Sequence, residues 1–380
     1  MKRPKKRPVK ILFLLHSSGL SGAERLHLDL VNLLRGKNFE TCSLVPFPDQ
    51  GIGTELKKNG SQVIYIENPR WWTELGEGQF DTDSLFEMFK SEEVTAWANA
   101  LKPDLIITHT GVIPQAAIAS SSLGIPHVWY LHEFMDLDHG LQFPGDKSQF
   151  ISFVLKKSSE IWANSNSILE YFNLESNEMS YVVYHAPEKP DIRFFPTILD
   201  EISMTIIANF QEGKGHDLAF SAMERLLSDG VKVTLNLVGS GTEKDIYRLR
   251  ALVKKHGLET HLKWHGFLPE TSEVLKRTNI VIVPSRNESF GRVAFEAIEL
   301  GIPVVYSSTG GMKEYMDGVE TGFAFDPNSE DDCYKQLRYL ITNYEKVMKK
   351  SDDSIERLDM WRKKMISDQI IVQRITKLLS

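Results

Sequence analysis

Only two cysteines, Cys42 and Cys333, occur in 380 residues, far apart and in no CxxC or other metal-ligand spacing. That excludes a disulfide framework and a thiolate metal cage, fits a reducing compartment and makes both thiols packing residues. No apolar run reaches the roughly 18 residues of a membrane span, and the start lacks the apolar core and small-residue cleavage site of a signal peptide. The chain is therefore expected in the cytoplasm. No strand-like run is followed by GxGxxG, which disfavours an NAD-dependent dehydrogenase, and there is no tandem repeat or low-complexity segment. Acidic residues are missing from the first ten positions, MKRPKKRPVK, which hold six of the 44 Lys and Arg; the remaining 38 face 51 acids, so the body carries a net charge of −13. An acidic body argues against broad nucleic-acid binding. The basic lead offers anionic lipid headgroups a contact, and hence peripheral binding at the inner face of a membrane, against the ordinary alternative of a solvated terminus.

What is present is the composition of a folded protein, 42% hydrophobic and 25% charged, at a length that suits two domains. Short β-branched or apolar runs at 9–15, 41–45, 62–66, 104–108, 127–131, 161–163 and 181–184 are mostly separated by helix-length segments, the first of them amphipathic over 23–34. Such alternation predicts an α/β fold, a parallel sheet covered by helices on both faces. Pro187, Pro190 and Pro196 interrupt the pattern over 186–196, which reads as a linker. The alternation restarts at 203–208 and continues through 232–238, 261–264, 279–283 and 303–306. The expected organisation is thus a first doubly wound, Rossmann-like domain at 1–187, a second at 188–354, and a C-terminal helix at 355–380 that packs back toward the first. Open α/β sheets bind ligands at the carboxyl edges of their strands, so two such sheets predict an active site in a shared cleft.

The string PSRNESFGRVAFEAIELGIPVV, 284–305, reads as strand end, tight loop, helix, turn and strand. Gly291 permits close backbone approach, and the helix that starts beside it offers amides and a positive dipole to an anion. Glu296 falls inside an apolar run, where a carboxylate is costly unless it meets donors such as the two hydroxyls of a ribose. The plainer alternative is an i, i+4 pair of Arg292 with Glu296, which contributes about 0.2–0.5 kcal/mol.

As a whole this string resembles family 4 of the retaining GT-B glycosyltransferases, whose hallmark is a Glu, seven residues and a second Glu, here Glu288 and Glu296. GGMKE at 310–314 and DGVETGFAFDP at 317–327 resemble that family's continuation. The resemblance implies a GT-B fold and transfer of a hexosyl group from a UDP- or GDP-linked sugar to a glycan or lipid-linked acceptor, with retention, without a metal and without a cofactor. It assigns Glu296 to the ribose, Glu288 to the donor sugar, and the surrounding Ser289, Phe290, Gly291 and Arg292 to donor binding, mainly through loop amides.

In ANFQEGKGHDLAFSAM, which opens the second half, the family places Lys214 against the donor diphosphate. Many members carry Arg where this chain has Asn209, so more of that task rests on Lys214. LVGSGTE at 237–243 and WHGFLPE at 264–270 resemble two further sheet-edge loops, the latter holding the base through backbone near Phe267 and Leu268. In the first half, the loop in HSSGLSGAER, with Gly19 and Gly22, resembles a lid at the cleft, while Arg25 and His27 are expected to face solvent or the linker. WYLHEFMDLDHGL resembles the catalytic-centre loop, in which His132 touches the donor sugar. Related strings carry Arg there, so His132 is expected to donate hydrogen bonds rather than accept protons. The catalytic set is His132, Lys214 and Glu288. Glu133, Asp136, Asp138 and His139 match no metal-ligand spacing. Trp71 and Trp72 suit stacking on an acceptor, or packing at a loop base. A sugar-nucleotide epimerase of the same fold and a non-catalytic nucleotide-sugar-binding subunit remain as alternatives.

Overall fold

Thirteen strands among the described residues form two all-parallel sheets. The computed structural model describes residues 7–48, 51–67, 91–143, 145–185, 187–197, 200–365 and 368–380. The first sheet contains β1 (Lys10–Leu14), β2 (Glu40–Pro46), β3 (Gln62–Ile66), β4 (Leu105–Thr108), β5 (His127–Leu131), β6 (Glu160–Ala163) and β7 (Ser180–Val182), in the order β3-β2-β1-β4-β5-β6-β7. The second contains β8 (Ile202–Ile207), β9 (Val233–Val238), β10 (Leu262–Gly266), β11 (Ile280–Val283), β12 (Val304–Ser307) and β13 (Gly322–Phe325), in the order β10-β9-β8-β11-β12-β13. Both orders reverse direction once, between β1 and β4 and between β8 and β11. Crevices at such switch points are where doubly wound sheets take ligands.

The nearly unbroken apolar strands follow from burial on both faces. Ile11, Phe13 and Leu15 pack in one core with Leu30, Ile107 and Tyr130, while Leu12 and Leu14 pack in the other with Leu44, Ile106, Trp129 and Phe150. Helix Gly22–Gly36 supplies Leu26, Leu30, Val31 and Leu34 to its sheet, a helical spacing, and the backbone N–H of its N-cap Ser21 donates to the Glu24 carboxylate at 3.0 Å. Cys42 and Cys333 are both buried, and burial pushes both thiols up to about 12.

The chain divides into two units: Met1–Asp136 with Leu141–His185 and Ile366–Ser380, and Leu137–Gly140 with Ala186–Met365. The single C-terminal helix expected over 355–380 is in fact two. Helix Ser351–Met365 belongs to the second unit, where Ile355 and Leu358 are buried and Arg362 bonds to the Pro187 carbonyl at 2.6 Å and to Glu299. Helix Asp368–Leu378 belongs to the first, placing Ile371 and Ile375 in the core with Phe13 and Tyr130 and joining Arg374 to Glu160. The polar sequence hides the division, because each half carries its own narrow apolar stripe. β13 also escapes the sequence reading, since its Gly322 and Ala324 have little strand propensity.

Of the basic lead, Arg7 and Lys10 lie within the described residues. The Arg7 guanidinium grips Asp104 at 2.7 and 3.1 Å, and the Lys10 ammonium donates to the Leu101 carbonyl at 3.2 Å. Among the described residues no helix is long and apolar enough to cross a membrane.

Burial holds several histidines neutral: His27 and His127 fall to about 3 and His216 to about 4. Their folded values lie below the unfolded value near 6.5, so the unfolded chain takes protons first and stability is lost as pH falls from about 6.5 toward 3. Each contributes a slope of about 1.4 kcal/mol per pH unit in that window. Glu299, raised to about 7 by burial against the pull of Arg362, acts in the opposite sense between its unfolded value of 4.5 and 7, but it is one group against three. The urea midpoint should therefore fall clearly between about pH 7 and pH 5; a flat profile would show that these rings are not buried in solution.

Candidate active site

In the second unit the loops after β8 and β11 are in contact. Gly215 has φ +65° and a Cβ there would stand 2.0 Å from the Pro284 carbonyl oxygen, so no other residue fits. Two bonds clamp the loops: the Arg286 N–H donates to the Gly213 carbonyl at 2.8 Å, and the Arg286 guanidinium forks onto Asp217 at 3.0 and 2.6 Å. This brings Lys214, in a 3-10 turn at Glu212–Lys214, against Glu288, with Nζ donating to Oε2 at 3.0 Å. Both side chains are largely buried. Burial disfavours the Lys214 cation, yet Glu288 and, more weakly, Asp138 raise its pKa; burial likewise opposes the Glu288 charge, and Lys214 with Ser285 and His139 lowers it. The pair is held charged on both sides.

From β12 onward the chain closes over the same loop. Gly310, at φ +61°, would place a Cβ 1.9 Å from the Glu288 carbonyl, and the Gly311 N–H donates to that oxygen at 3.0 Å. Gly291 caps helix Arg292–Glu299. The Phe290 ring is buried with Phe295, Tyr315 and Trp361, and the Tyr315 hydroxyl donates to the Gly291 carbonyl at 2.8 Å. Phe290 is therefore a packing residue whose backbone alone is available to a ligand. Ser289 is half-buried.

Glu296 departs from expectation. The apolar run around it suggested a buried carboxylate, but Ala294, Phe295, Ala297 and Ile298 form the buried face while the Glu296 side chain stays 35% exposed and pairs with Arg292 at 3.4 Å. Apolar neighbours along a helix lie on different faces, so a run in sequence is no measure of burial. The buried carboxylate of this helix is Glu299, bound to Arg362.

Asn209 is half-buried just beyond β8. Phe267 follows edge strand β10 with its ring exposed, and Leu268 is half-buried. In LVGSGTE, the Gly239 N–H donates to the Gly266 carbonyl at 2.9 Å, tying this loop to the end of β10.

In the first unit, Gly22 opens its helix on the exposed side, and the preceding loop is tied down by the Ile52 N–H, which donates to the Ser18 carbonyl at 3.0 Å. His132, just past β5, is buried, and its Nε2 lies 3.0 Å from Nδ1 of His109, just past β4. Glu133 accepts from the Thr110 hydroxyl at 2.5 Å, from the Gly111 N–H at 2.6 Å and from the His132 N–H at 3.2 Å. It is a brace joining two sheet-edge loops, a role its sequence neighbours did not reveal. Asp138 and His139 belong to the second unit, His139 Nδ1 lying 3.0 Å from Gln211 Oε1. Among the described residues no three His, Cys, Asp or Glu side chains gather as a metal cage. His27 is also corrected: it is fully buried, with Nε2 3.0 Å from the Ser43 hydroxyl, because it lies on the inward face with Leu26 and Leu30; Arg25 Nε donates to the Leu20 carbonyl at 3.2 Å. Trp71 and Trp72 lie outside the described residues. Sequence reasoning missed His109, Asp217 and Arg286; the only signal for His109 and Arg286 was their position just beyond a strand end, while Asp217 lies in the first turn of the helix that follows the loop after β8.

Comparison with known proteins agrees with this arrangement. A family model described as Glycosyl transferases group 1 matches residues 188–357. An uncharacterised glycosyltransferase of Haemophilus influenzae is 30% identical over 353 residues, covering 90% of this chain and 93% of that protein. HepE of Anabaena, solved in complex with UDP and glucose, superposes with a TM-score of 0.78 at 21% identity, covering 98% of this chain and 99% of that one. A sucrose-phosphate synthase of Thermosynechococcus elongatus does so with a TM-score of 0.76 at 15% identity, covering 97% and 98%. With a family match over the second unit, a relative along nearly the whole length and two parallel doubly wound sheets, the chain belongs to the group 1 glycosyl transferases and is a glycosyltransferase of the GT-B fold.

Proposed function

We propose that the protein is a family 4, retaining, metal-independent hexosyltransferase that moves a sugar from a UDP- or GDP-linked donor to a glycan or lipid-linked acceptor on the cytoplasmic side of the cell. The observation that carries this reading is the charged Lys214–Glu288 pair held at the β8/β11 switch point beside the start of helix Arg292–Glu299. Uridine is favoured over guanosine because HepE, in the same fold, is known with UDP and with UDP-glucose.

In the reaction the bond between the anomeric carbon and the diphosphate oxygen breaks and its electron pair leaves with the nucleoside diphosphate. Lys214 and the helix-start amides meet that growing negative charge, as a divalent cation would elsewhere. The acceptor hydroxyl attacks from the face the diphosphate leaves, and a departing phosphate oxygen takes its proton, so configuration is retained. Glu288 and His132 hold the donor sugar while its ring gains positive character. Glu296 accepts from both ribose hydroxyls; its partial exposure leaves it accessible for that task. Asn209, Phe267 and Leu268 supply contacts along the nucleotide.

Three outcomes test the reading. Lys214→Ala should lower kcat for UDP release from UDP-glucose by about two to three orders of magnitude. It should also lower the melting temperature, because Glu288 is left buried and unpaired. Replacing both partners, Lys214→Met with Glu288→Gln, should restore the melting temperature but not turnover; parental turnover in that double variant would reduce the pair to a structural role. Glu296→Gln should weaken UDP binding by about 1.5–3 kcal/mol by calorimetry, since the amide must turn one donor end toward the ribose, and unchanged affinity would refute the ribose assignment. Turnover should survive EDTA; activity that vanishes with chelator and returns with magnesium or manganese would exclude the metal-independent step.

A further inference from the structure

His109 and His132 form a buried imidazole pair in the first unit, their rings 4.4 Å apart and inclined by 38°. Nδ1 of His109 and Nε2 of His132 are 3.0 Å apart, while the other nitrogens, His109 Nε2 and His132 Nδ1, are buried without a hydrogen-bond partner among the described residues. Both rings are held from several sides. Tyr130 lies against each, with centroids at 5.1 and 4.1 Å; His27 meets His109 edge-on at 4.9 Å; the His109 N–H donates to the Leu14 carbonyl at 3.1 Å; and Glu133 braces the backbone of both loops.

The bond between the rings contains one proton, and two arrangements are available. If His132 donates, His109 accepts at Nδ1 and must carry its own proton on Nε2, leaving a buried N–H without an acceptor. If His109 donates, its Nε2 is a bare lone pair and His132, accepting at Nε2, carries its proton on Nδ1. Each arrangement leaves one outer ring N–H unmet among the described residues, on His109 Nε2 in the first and on His132 Nδ1 in the second, and a buried N–H without an acceptor is rare. With Nε2 of His132 engaged by His109 and His132 assigned to the donor sugar, only the second arrangement gives that N–H a ligand oxygen to meet. The Tyr130 hydroxyl donates to the Val183 carbonyl at 2.6 Å and bonds to neither outer ring nitrogen. Both rings stay neutral, because burial and the neighbouring His16, His27 and His185 push their pKa values down.

We infer that His109 is a positioning residue that fixes His132 as the Nδ1–H tautomer, so that His132 presents a neutral hydrogen-bond donor, suited to a sugar hydroxyl or phosphoryl oxygen, and not a base. The inference rests on the assignment of His132 to the donor sugar made above. It explains in chemical terms why a position that receives a donor needs no charge of its own. As in other sites where the second nitrogen of an imidazole is held by a partner, that partner selects which nitrogen does the work.

The test is the 15N spectrum of histidine-labelled protein near neutral pH. The expected result is a protonated Nδ1 and bare Nε2 on His132, with a protonated Nδ1 on His109; a bare Nδ1 on His132 overturns the inference, and this reading of the parent protein depends on no variant folding. Kinetics of UDP release from UDP-glucose supply a second readout. His109→Leu should lower kcat on the order of tenfold to a hundredfold with little change in KM. His109→Asn, whose amide N–H replaces the ring Nδ1–H, should recover most of the loss. Equal loss in both variants overturns the positioning role. His132→Ala separates the two levels: parental turnover in that variant refutes the assignment of His132 to the donor, whereas the tautomer stands or falls on the spectrum.

Discussion

The approach of the Gly215 backbone to the Pro284 carbonyl sets the geometry of the second unit's sheet edge. Because the loops after β8 and β11 meet at a separation that admits no side chain, the residues that flank the contact are forced onto one another. Lys214 has Glu288 within reach and Asp217 has Arg286, so the crowding that makes one glycine obligatory also creates two ion pairs. Gly310 repeats the device from the other side, allowing the chain beyond β12 to press on the Glu288 carbonyl. A glutamate whose carboxylate is paired with Lys214 and whose backbone carbonyl is held by a third segment has little freedom to move, which is the preorganisation that electrostatic catalysis requires.

The two units solve the problem of buried polarity in opposite ways. In the second, opposite charges are brought together and each sustains the other against desolvation. In the first, histidines crowd below the carboxyl edge and stay neutral, chiefly because burial disfavours their charge and, for His109 and His132, also because neighbouring rings would repel it. Glu133, buried at that edge, accepts from backbone and hydroxyl donors. One sheet edge thus carries formal charge and the other carries neutral rings and dipoles.

Much of this was legible in the chain. The alternation of strand and helix patterns predicted two parallel sheets, and twelve of the thirteen strands began and ended within a few residues of the expected runs because burial on both faces leaves a continuous apolar signature. The string 284–305 pointed to Glu288 and the glycines around it, since loop chemistry is local. What stayed hidden was non-local. The Arg286–Asp217 fork joins residues 69 apart and the His109–His132 pair residues 23 apart; neither has a spacing that a sequence pattern encodes. Glu296 shows the opposite failure, where a local pattern was read as burial although the helix turned that side chain outward. The division of the C-terminal region was missed for a related reason: two weakly amphipathic helices in succession look like one when no proline or glycine marks the join.

The last helix has a consequence for how the protein is made. Arg374 bonds to Glu160 across 214 residues, and Ile371 and Ile375 complete a core whose other members, such as Phe13 and Leu30, leave the ribosome first. Domains ordinarily fold in the order of synthesis. Here the earlier unit lacks part of its core until the second unit has been translated and helix Asp368–Leu378 follows it. During that interval the apolar surface that Ile371 and Ile375 will cover stays open, a consequence of the topology rather than of any single unstable segment.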